Sequence, residues 1–360
     1  MLDQLVSPAD PDLASASANL SQALIQTAPS GCDVAGILPA TRGVDEDIPS
    51  LATLADVWRA PVAQRELAHA WRWGMPLGAA GGMVHSPTLL APLVRHDRVH
   101  DHDQTVVTLW SLEAWLEPAR LARGVAGWQK AMLARAVRFA DAVVVPTHAM
   151  AGQLAEIAPL GARIRVVSGA PSADFVTPDP ARGRIPGIAE RYVVAVGSYA
   201  QDLADVFATA ADLDLDVVVV ADRGDVETEA FTAAAGSAGL SAARVQVRAD
   251  STASERAALF AGALAVAAPS SAPVFPWRLL EALAAGAPIV AADTAQNREI
   301  LVDAALYVEA GATGELGEAV RRGVTDESLG RRLHVLSADR SRAFSWRDAA
   351  QRVWQLHAEL

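Results

Sequence analysis

Residues 269–292 read PSSAPVFPWRLLEALAAGAPIVAA, and their order is loop, helix, stop and strand. Pro273 and Pro276 hold the chain extended to about Trp277, because proline fixes φ and turns the residue before it away from the helical region. Leu279, Leu280, Leu283 and Ala284 then recur at helical spacing. Gly286 can take the left-handed cap, and Pro288 cannot continue a helix, so the helix stops there. Residues 289–292 are short and apolar on both faces, the pattern of a buried parallel strand. Glu281 stands on the helix that leads into this strand. In α/β folds such a position lies at the carboxyl end of the sheet, where ligands bind.

Similar elements fill the rest of the chain. In the second half, 192–197, 215–221, 245–247, 264–268 and 304–308 read as short apolar strands. Helices are expected over 254–262, 313–323 and 328–337, with a terminal helix after Phe344-Ser345-Trp346. In the first half, 2–7, 33–38, 82–87, 105–110 and 163–167 read as strands, 141–148 as strand and loop, and 13–27, 64–73 and 127–140 as helices. The PADPD turn at 8–12 offers carboxylates to cap its helix, and Thr147 fits an N-cap. Trp71 and Trp73 suit buried packing or an acceptor surface. Residues 168–190 are rich in proline and glycine and read as a linker.

Composition narrows the function. A chain of 360 residues is long enough for one or two domains with large cores. The net charge of −12 disfavours nucleic acid or an anionic membrane as main partner, since both need a basic surface. No apolar run is long enough to span a bilayer, the start lacks the basic and apolar regions of a signal peptide, and Cys32 is the only cysteine. The expected compartment is therefore the cytoplasm. The run RHDRVHDHDQ (95–104) invites a metal reading through His96, His100 and His102. The ligand set is incomplete, however, and the alternating charges read as a solvated loop, so no metal and no cofactor are expected. No G-x-G-x-x-G follows any strand, which argues against a dinucleotide-dependent oxidoreductase.

The run PS, four variable residues, LLEALAAGAPIVAAD and then Arg298-Glu299-Ile300 resembles the donor-site signature of retaining glycosyltransferases of family 4. ADAVVVPTHAMAGQLAE before the linker and the closing Phe-Ser-Trp segment resemble the same family. The resemblance implies the GT-B fold, two Rossmann-like domains facing a cleft, with a C-terminal helix crossing back to the N-terminal domain. The implied divisions are 1–167 on the acceptor side, a linker at 168–190, 191–344 on the nucleotide-sugar side, and a crossover helix at 345–360.

It also implies donor contacts from Glu281, which takes the place of the glutamate that holds the ribose, and from Gly197, Ser198, Ser270, Arg278 and Glu299. His85, Trp110 and Ser111 are the acceptor-side candidates. Several positions depart from the family. The glutamate expected on the donor sugar is Pro273, and two loop glycines are Val274 and Pro276. A histidine and an aspartate become Trp110 and Ser111, and the arginine-lysine pair on the diphosphate becomes Asp202 and Leu203, leaving Arg223 and Arg278 as substitutes. A glycine-rich first loop becomes Ala14, Ser15, Ala16 and Ser17. No catalytic residue is assigned.

Two readings stand. One is a transferase moving a sugar from a nucleotide-sugar to a glycan or lipid-linked acceptor in surface-polysaccharide assembly. The other is a non-catalytic protein of the same fold that binds and supports an active transferase.

Overall fold

The computed structural model describes residues 1–41, 51–75, 77, 81–178, 185, 187–222, 226–312 and 314–360. The chain divides into two compact units: Met1–Ala170 with Ala272–Phe275 and Ser345–Leu360, and Pro171–Ser271 with Pro276–Phe344.

In the first unit the chain runs α1 (Asp3–Val6), α2 (Pro11–Gln26), β1 (Ala35–Leu38), β2 (Asp56–Arg59), α3 (Gln64–Arg72), β3 (Met83–Ser86), β4 (Gln104–Thr108), α4 (Glu113–Leu116), α5 (Val125–Phe139), β5 (Ala142–Val145), α6 (His148–Ile157) and β6 (Ile164–Val166). Strands β3-β4-β5-β6 form a parallel sheet in that order, and β1-β2 form a separate parallel pair. β5 is buried along its whole length, as an apolar run in a covered parallel sheet should be, and so is β4 although it carries Gln104, Thr105 and Thr108. Asp10 caps α2 by accepting from the backbone of Asp12 (2.7 Å) and Leu13 (3.3 Å), and Pro11 supplies the first helical residue. Thr147 caps α6 at 3.1 Å from Met150 N.

Residues 2–7, expected as a strand, are instead the short helix α1. Leu2, Leu5 and Val6 recur at i, i+3 and i+4, so one turn of helix packs all three, Leu2 buried and the other two partly so, against Leu38, Leu51, Leu54 and Val57. A strand would split them between two faces. The run Ala14–Ser17, which stands where the resembled family has a glycine-rich loop, lies inside α2, where Ser17 Oγ donates to Leu13 O at 2.7 Å.

The second unit holds β7 (Tyr192–Val196), α7 (Ala204–Asp212), β8 (Asp216–Val220), α8 (Thr228–Ser237), β9 (Val245–Arg248), α9 (Ala253–Gly262), β10 (Val266–Ala268), α10 (Trp277–Ala285), β11 (Ile289–Ala292), α11 (Ala295–Leu301), β12 (Ala305–Val308), α12 (Glu315–Thr325) and α13 (Glu327–Ser341). Its six parallel strands are ordered β12-β11-β10-β7-β8-β9. That is the Rossmann order, with the chain reversing direction across the sheet between β7 and β10. Thr252 and Glu255 form a reciprocal capping box at the start of α9. Gly286 ends α10 with φ 69°, the left-handed cap that the sequence called for.

The terminal helix α14 (Trp346–Glu359) belongs to the first unit. Ser345 caps it, and Ala350, Val353 and Leu356 pack with Leu20 and Ala23 of α2 and with Val106 and Val144.

Candidate functional site

The strand order of the second unit puts the carboxyl ends of β7 and β10 side by side, and the loops leaving them carry Gly197-Ser198 and Ser270. Gly197 N donates to Val220 O at 3.2 Å, continuing the ladder one step past β7, and the Ser198 hydroxyl donates to Asp222 at the exit of β8. Arg223, the next residue, lies outside the described residues.

Glu281 is on the second turn of α10 and is 3% exposed. Its carboxylate accepts from two guanidinium groups. Arg278, one turn earlier, donates from Nη1 to Oε1 at 2.7 Å. Arg256, on the first turn of α9, donates from Nη2 to Oε1 at 2.7 Å and from Nε to Oε2 at 2.8 Å, a two-pronged fit of planar fork to carboxylate. Arg256 also donates to Ser251 O, which fixes its position. Glu281 and the two arginines form one charged cluster shielded from water. Arg278 was a candidate from the sequence, and the structure places it on Glu281. Arg256 was not, because nothing in a sequence ties residue 256 to a carboxylate 25 positions later.

The remaining donor-side positions are arranged differently. Glu299 is half-buried on α11, and its carbonyl accepts from Arg340 Nη2 at 2.8 Å. Asp202 is exposed at the connection from β7 to α7. Leu203 beside it is fully buried in the core of the second unit. The expectation that both positions face the donor diphosphate is thus corrected for Leu203, whose apolar side chain gains more by burial than at an exit loop.

In the first unit, His85 ends on β3 with Nε2 at 3.4 Å from Thr108 Oγ1, while its Nδ1 is shut away without a hydrogen-bond partner. Its ring meets that of His357 edge-on, with centroids 5.7 Å apart. Burial pushes His85 well below the ordinary imidazole range, with His357 and the Met1 amine adding to the shift. Burial likewise pushes His357 down to about 4, opposed by Asp141. His357 Nδ1 lies 2.7 Å from Gln104 Oε1, and Gln104 Nε2 donates back to His357 O at 3.1 Å.

Trp110 is buried, its indole N–H donating to Pro87 O at 2.9 Å and its ring 5.4 Å from that of Phe275. Ser111 donates to Glu113 Oε2 at 3.1 Å. Pro273 is buried in the same unit. Leu112 N donates to its carbonyl at 2.7 Å, Phe275 N donates to Trp110 O at 2.8 Å, and Ser111 bridges Val274 in antiparallel fashion. Trp110 and Ser111 thus share the segment after β4 with 273–275, while His85 faces Thr108 and His357.

Among the described residues no group of three or more His, Cys, Asp or Glu could hold a metal ion. His96 pairs with Asp141 at 2.9 Å and His100 with Asp97 at 2.8 Å. No helix among the described residues is long and apolar enough to cross a membrane.

The architecture is that of a GT-B glycosyltransferase. Sucrose-phosphate synthase from Thermosynechococcus elongatus superposes with a TM-score of 0.68 at 18% identity, over 94% of this chain and 91% of that one. HepE from Anabaena in complex with UDP-glucose superposes with a TM-score of 0.68 at 16% identity, over 95% and 96%. WaaG, a glycosyltransferase involved in lipopolysaccharide biosynthesis, gives 0.62 at 13% identity, over 94% of each. Within this fold, residues 190–326, which span all six strands of the second unit, match the family described as glycosyl transferases group 1, so this region is a group 1 glycosyl transferase domain. Among curated proteins none matches the chain by sequence.

Proposed function

We propose that the chain is a nucleotide-sugar-dependent glycosyltransferase, passing a sugar to a glycan or lipid-linked acceptor in surface-polysaccharide assembly. The observation that carries this reading is the buried Glu281 with its two arginines, on the helix after β10 in the group 1 domain. In this reading Glu281 holds the ribose of the donor. Transfer breaks the bond between the anomeric carbon and a diphosphate oxygen and forms one to the acceptor oxygen, whose proton leaves with the diphosphate. Charge gathers on the diphosphate, so fixed cations near it lower the barrier most. The guanidinium groups of Arg256 and Arg278 are the source we assign. HepE, which shares the fold, is described in complex with UDP and with UDP-glucose, and uridine nucleotides are the first donors to test.

One observation favours the second reading, a non-catalytic protein supporting an active transferase. The connection after β7 presents Asp202 and buries Leu203, and so supplies no cation there.

A thermal-shift panel of nucleoside diphosphates and nucleotide-sugars, followed by assay of sugar release or transfer, decides between them. A ligand that binds only the native state must raise the melting temperature. Stabilisation by one nucleotide, lost in Glu281→Gln, supports donor binding, and turnover then supports the enzyme. Stabilisation by none overturns the transferase reading.

A further inference from the structure

The amino ends of β5 and β6 open on a cavity of about 520 Å³ in the first unit. Five arginines line it, Arg95, Arg98, Arg138, Arg163 and Arg165, against two side-chain carboxylates, Asp141 and Glu359. With the main-chain carboxylate of Leu360 counted as well, that is a surplus of two positive charges at one spot of a chain whose net charge is −12. Asp141 is turned to local work, accepting from Thr105 N at 2.8 Å and pairing with His96 at 2.9 Å, and Arg98 approaches it only to 3.8 Å. Arg163 is held in place by the end of α5, donating to Val137 O at 2.8 Å and Ala140 O at 2.9 Å. Arg95, Arg138 and Arg165 make no ion pair among the described residues, and Arg95 and Arg138 are exposed.

Like charges gathered in a concave site raise the local potential and draw anions from solution. Guanidinium forks suit phosphate oxygens in particular, because two N–H groups can meet two oxygens at once. The volume falls in the range of small-ligand sites, about 300–1,000 Å³, and is larger than a single inorganic phosphate needs. Two unbalanced charges call for a ligand of comparable negative charge.

We propose that this cavity binds a small anion bearing two or more phosphate groups. It lies at the amino ends of the strands, whereas His85 sits in the carboxyl half of β3 and Ser111 follows β4, so the bound anion acts as an effector or an anchor rather than as a reacting group. The run 95–104, which holds no complete metal-ligand set, then has a use, supplying Arg95 and Arg98.

The test is calorimetric titration of the full chain with pyrophosphate and with tripolyphosphate, using inorganic phosphate as the singly phosphorylated comparison. Flotation with phosphatidylcholine vesicles, with and without cardiolipin, covers the case in which the two phosphates come from a lipid headgroup. The triple substitution Arg95→Gln, Arg138→Gln, Arg165→Gln spares the Arg163 cap, and circular dichroism with an unchanged melting temperature checks its fold. Binding that weakens at least about tenfold in the triple variant, falls with added salt and persists in Arg278→Gln supports the site. Soluble polyphosphate binding identifies a free ligand, and vesicle binding alone identifies a lipid headgroup. Binding that survives the triple substitution and disappears in Arg278→Gln places the anion at the Glu281 cluster and overturns the proposal. So does equal affinity for inorganic phosphate and tripolyphosphate, or no binding by any probe.

Discussion

Glu281→Ala is expected to destabilise the second unit more than almost any other single change there. The carboxylate is 3% exposed and accepts from Arg278 at 2.7 Å and from Arg256 at 2.7 and 2.8 Å. Removing it takes the shared carboxylate from two guanidinium groups at 8% and 11% side-chain exposure. Breaking a buried pair by deleting one partner costs about 3–5 kcal/mol, because the remaining charge stays desolvated. For a unit of this size each kcal/mol lowers the melting temperature by about 2–4 °C, so a fall of roughly 6–20 °C is expected. Ligand-free protein is needed, since bound nucleotide would add its own stabilisation. The assay is scanning calorimetry on Glu281→Ala, Arg256→Ala and the double variant. The double variant should recover part of the loss, with a coupling of about 0.5–3 kcal/mol between the two positions. A single-variant melting temperature within about 1 °C of the parent would sink the argument. Strict additivity would too, since the carboxylate would then be hydrated and the arginines independent of it.

Gly286→Ala should cost at least about 1–2 kcal/mol, because φ is 69° and an added Cβ would stand 2.8 Å from the His334 ring; urea unfolding measures it. Thr252→Ala removes the capping box of α9 and should cost about 1 kcal/mol, and an unchanged urea midpoint would count against the cap. Stability should fall as the pH drops from about 7 to about 5, since the unfolded chain takes up protons that buried His357 and His85 refuse; His357 alone, held near 4, is worth about 3 kcal/mol at neutral pH, present above the ordinary imidazole value and lost as pH falls towards 4. Asp3, raised by burial, acts in the opposite direction, so the diagnostic is a flatter stability profile in His357→Gln; equal slopes would refute it. Asp202→Arg should tighten nucleoside diphosphate binding, whereas Leu203→Lys should chiefly destabilise the core; calorimetry and melting curves separate the two.

The strands of the two larger sheets were legible wherever apolar residues run without interruption, because only a parallel sheet covered on both faces buries such a run whole. Residues 142–145, 192–196 and 289–292 are of this kind. β2 was missed for the opposite reason. Asp56-Val-Trp-Arg mixes charge with bulk and is half-exposed, so neither alternation nor an apolar run marks it. Residues 2–7 were read as a strand because so short a stretch shows no period, and only the position of Leu38 and Leu51 selects the helical turn. Strand order is harder still. Each strand reads alike on its own, and no residue marks β10 as the neighbour of β7.

The site was legible where one residue's local setting decided its place. Glu281 follows a loop and precedes a parallel strand, and those two facts locate it at the carboxyl end of the sheet. Its partner Arg256 could not be found that way. The pair exists because α9 and α10 pack side by side at the end of the sheet, and that packing is set by strand order. Leu203 shows the reverse error. Aligning positions with a motif assigns a residue to a place along the chain, but the direction of its side chain depends on the turn that carries it. Here a short turn of 3₁₀ helix at Ala200–Leu203 sends Leu203 into the core and leaves Asp202 exposed. A cation lost from a motif is therefore replaced, if at all, by one that packing delivers from elsewhere in the domain. In the second unit the arginines so delivered to the end of β10 are Arg256 and Arg278, both gathered on the one carboxylate that the sequence had already singled out.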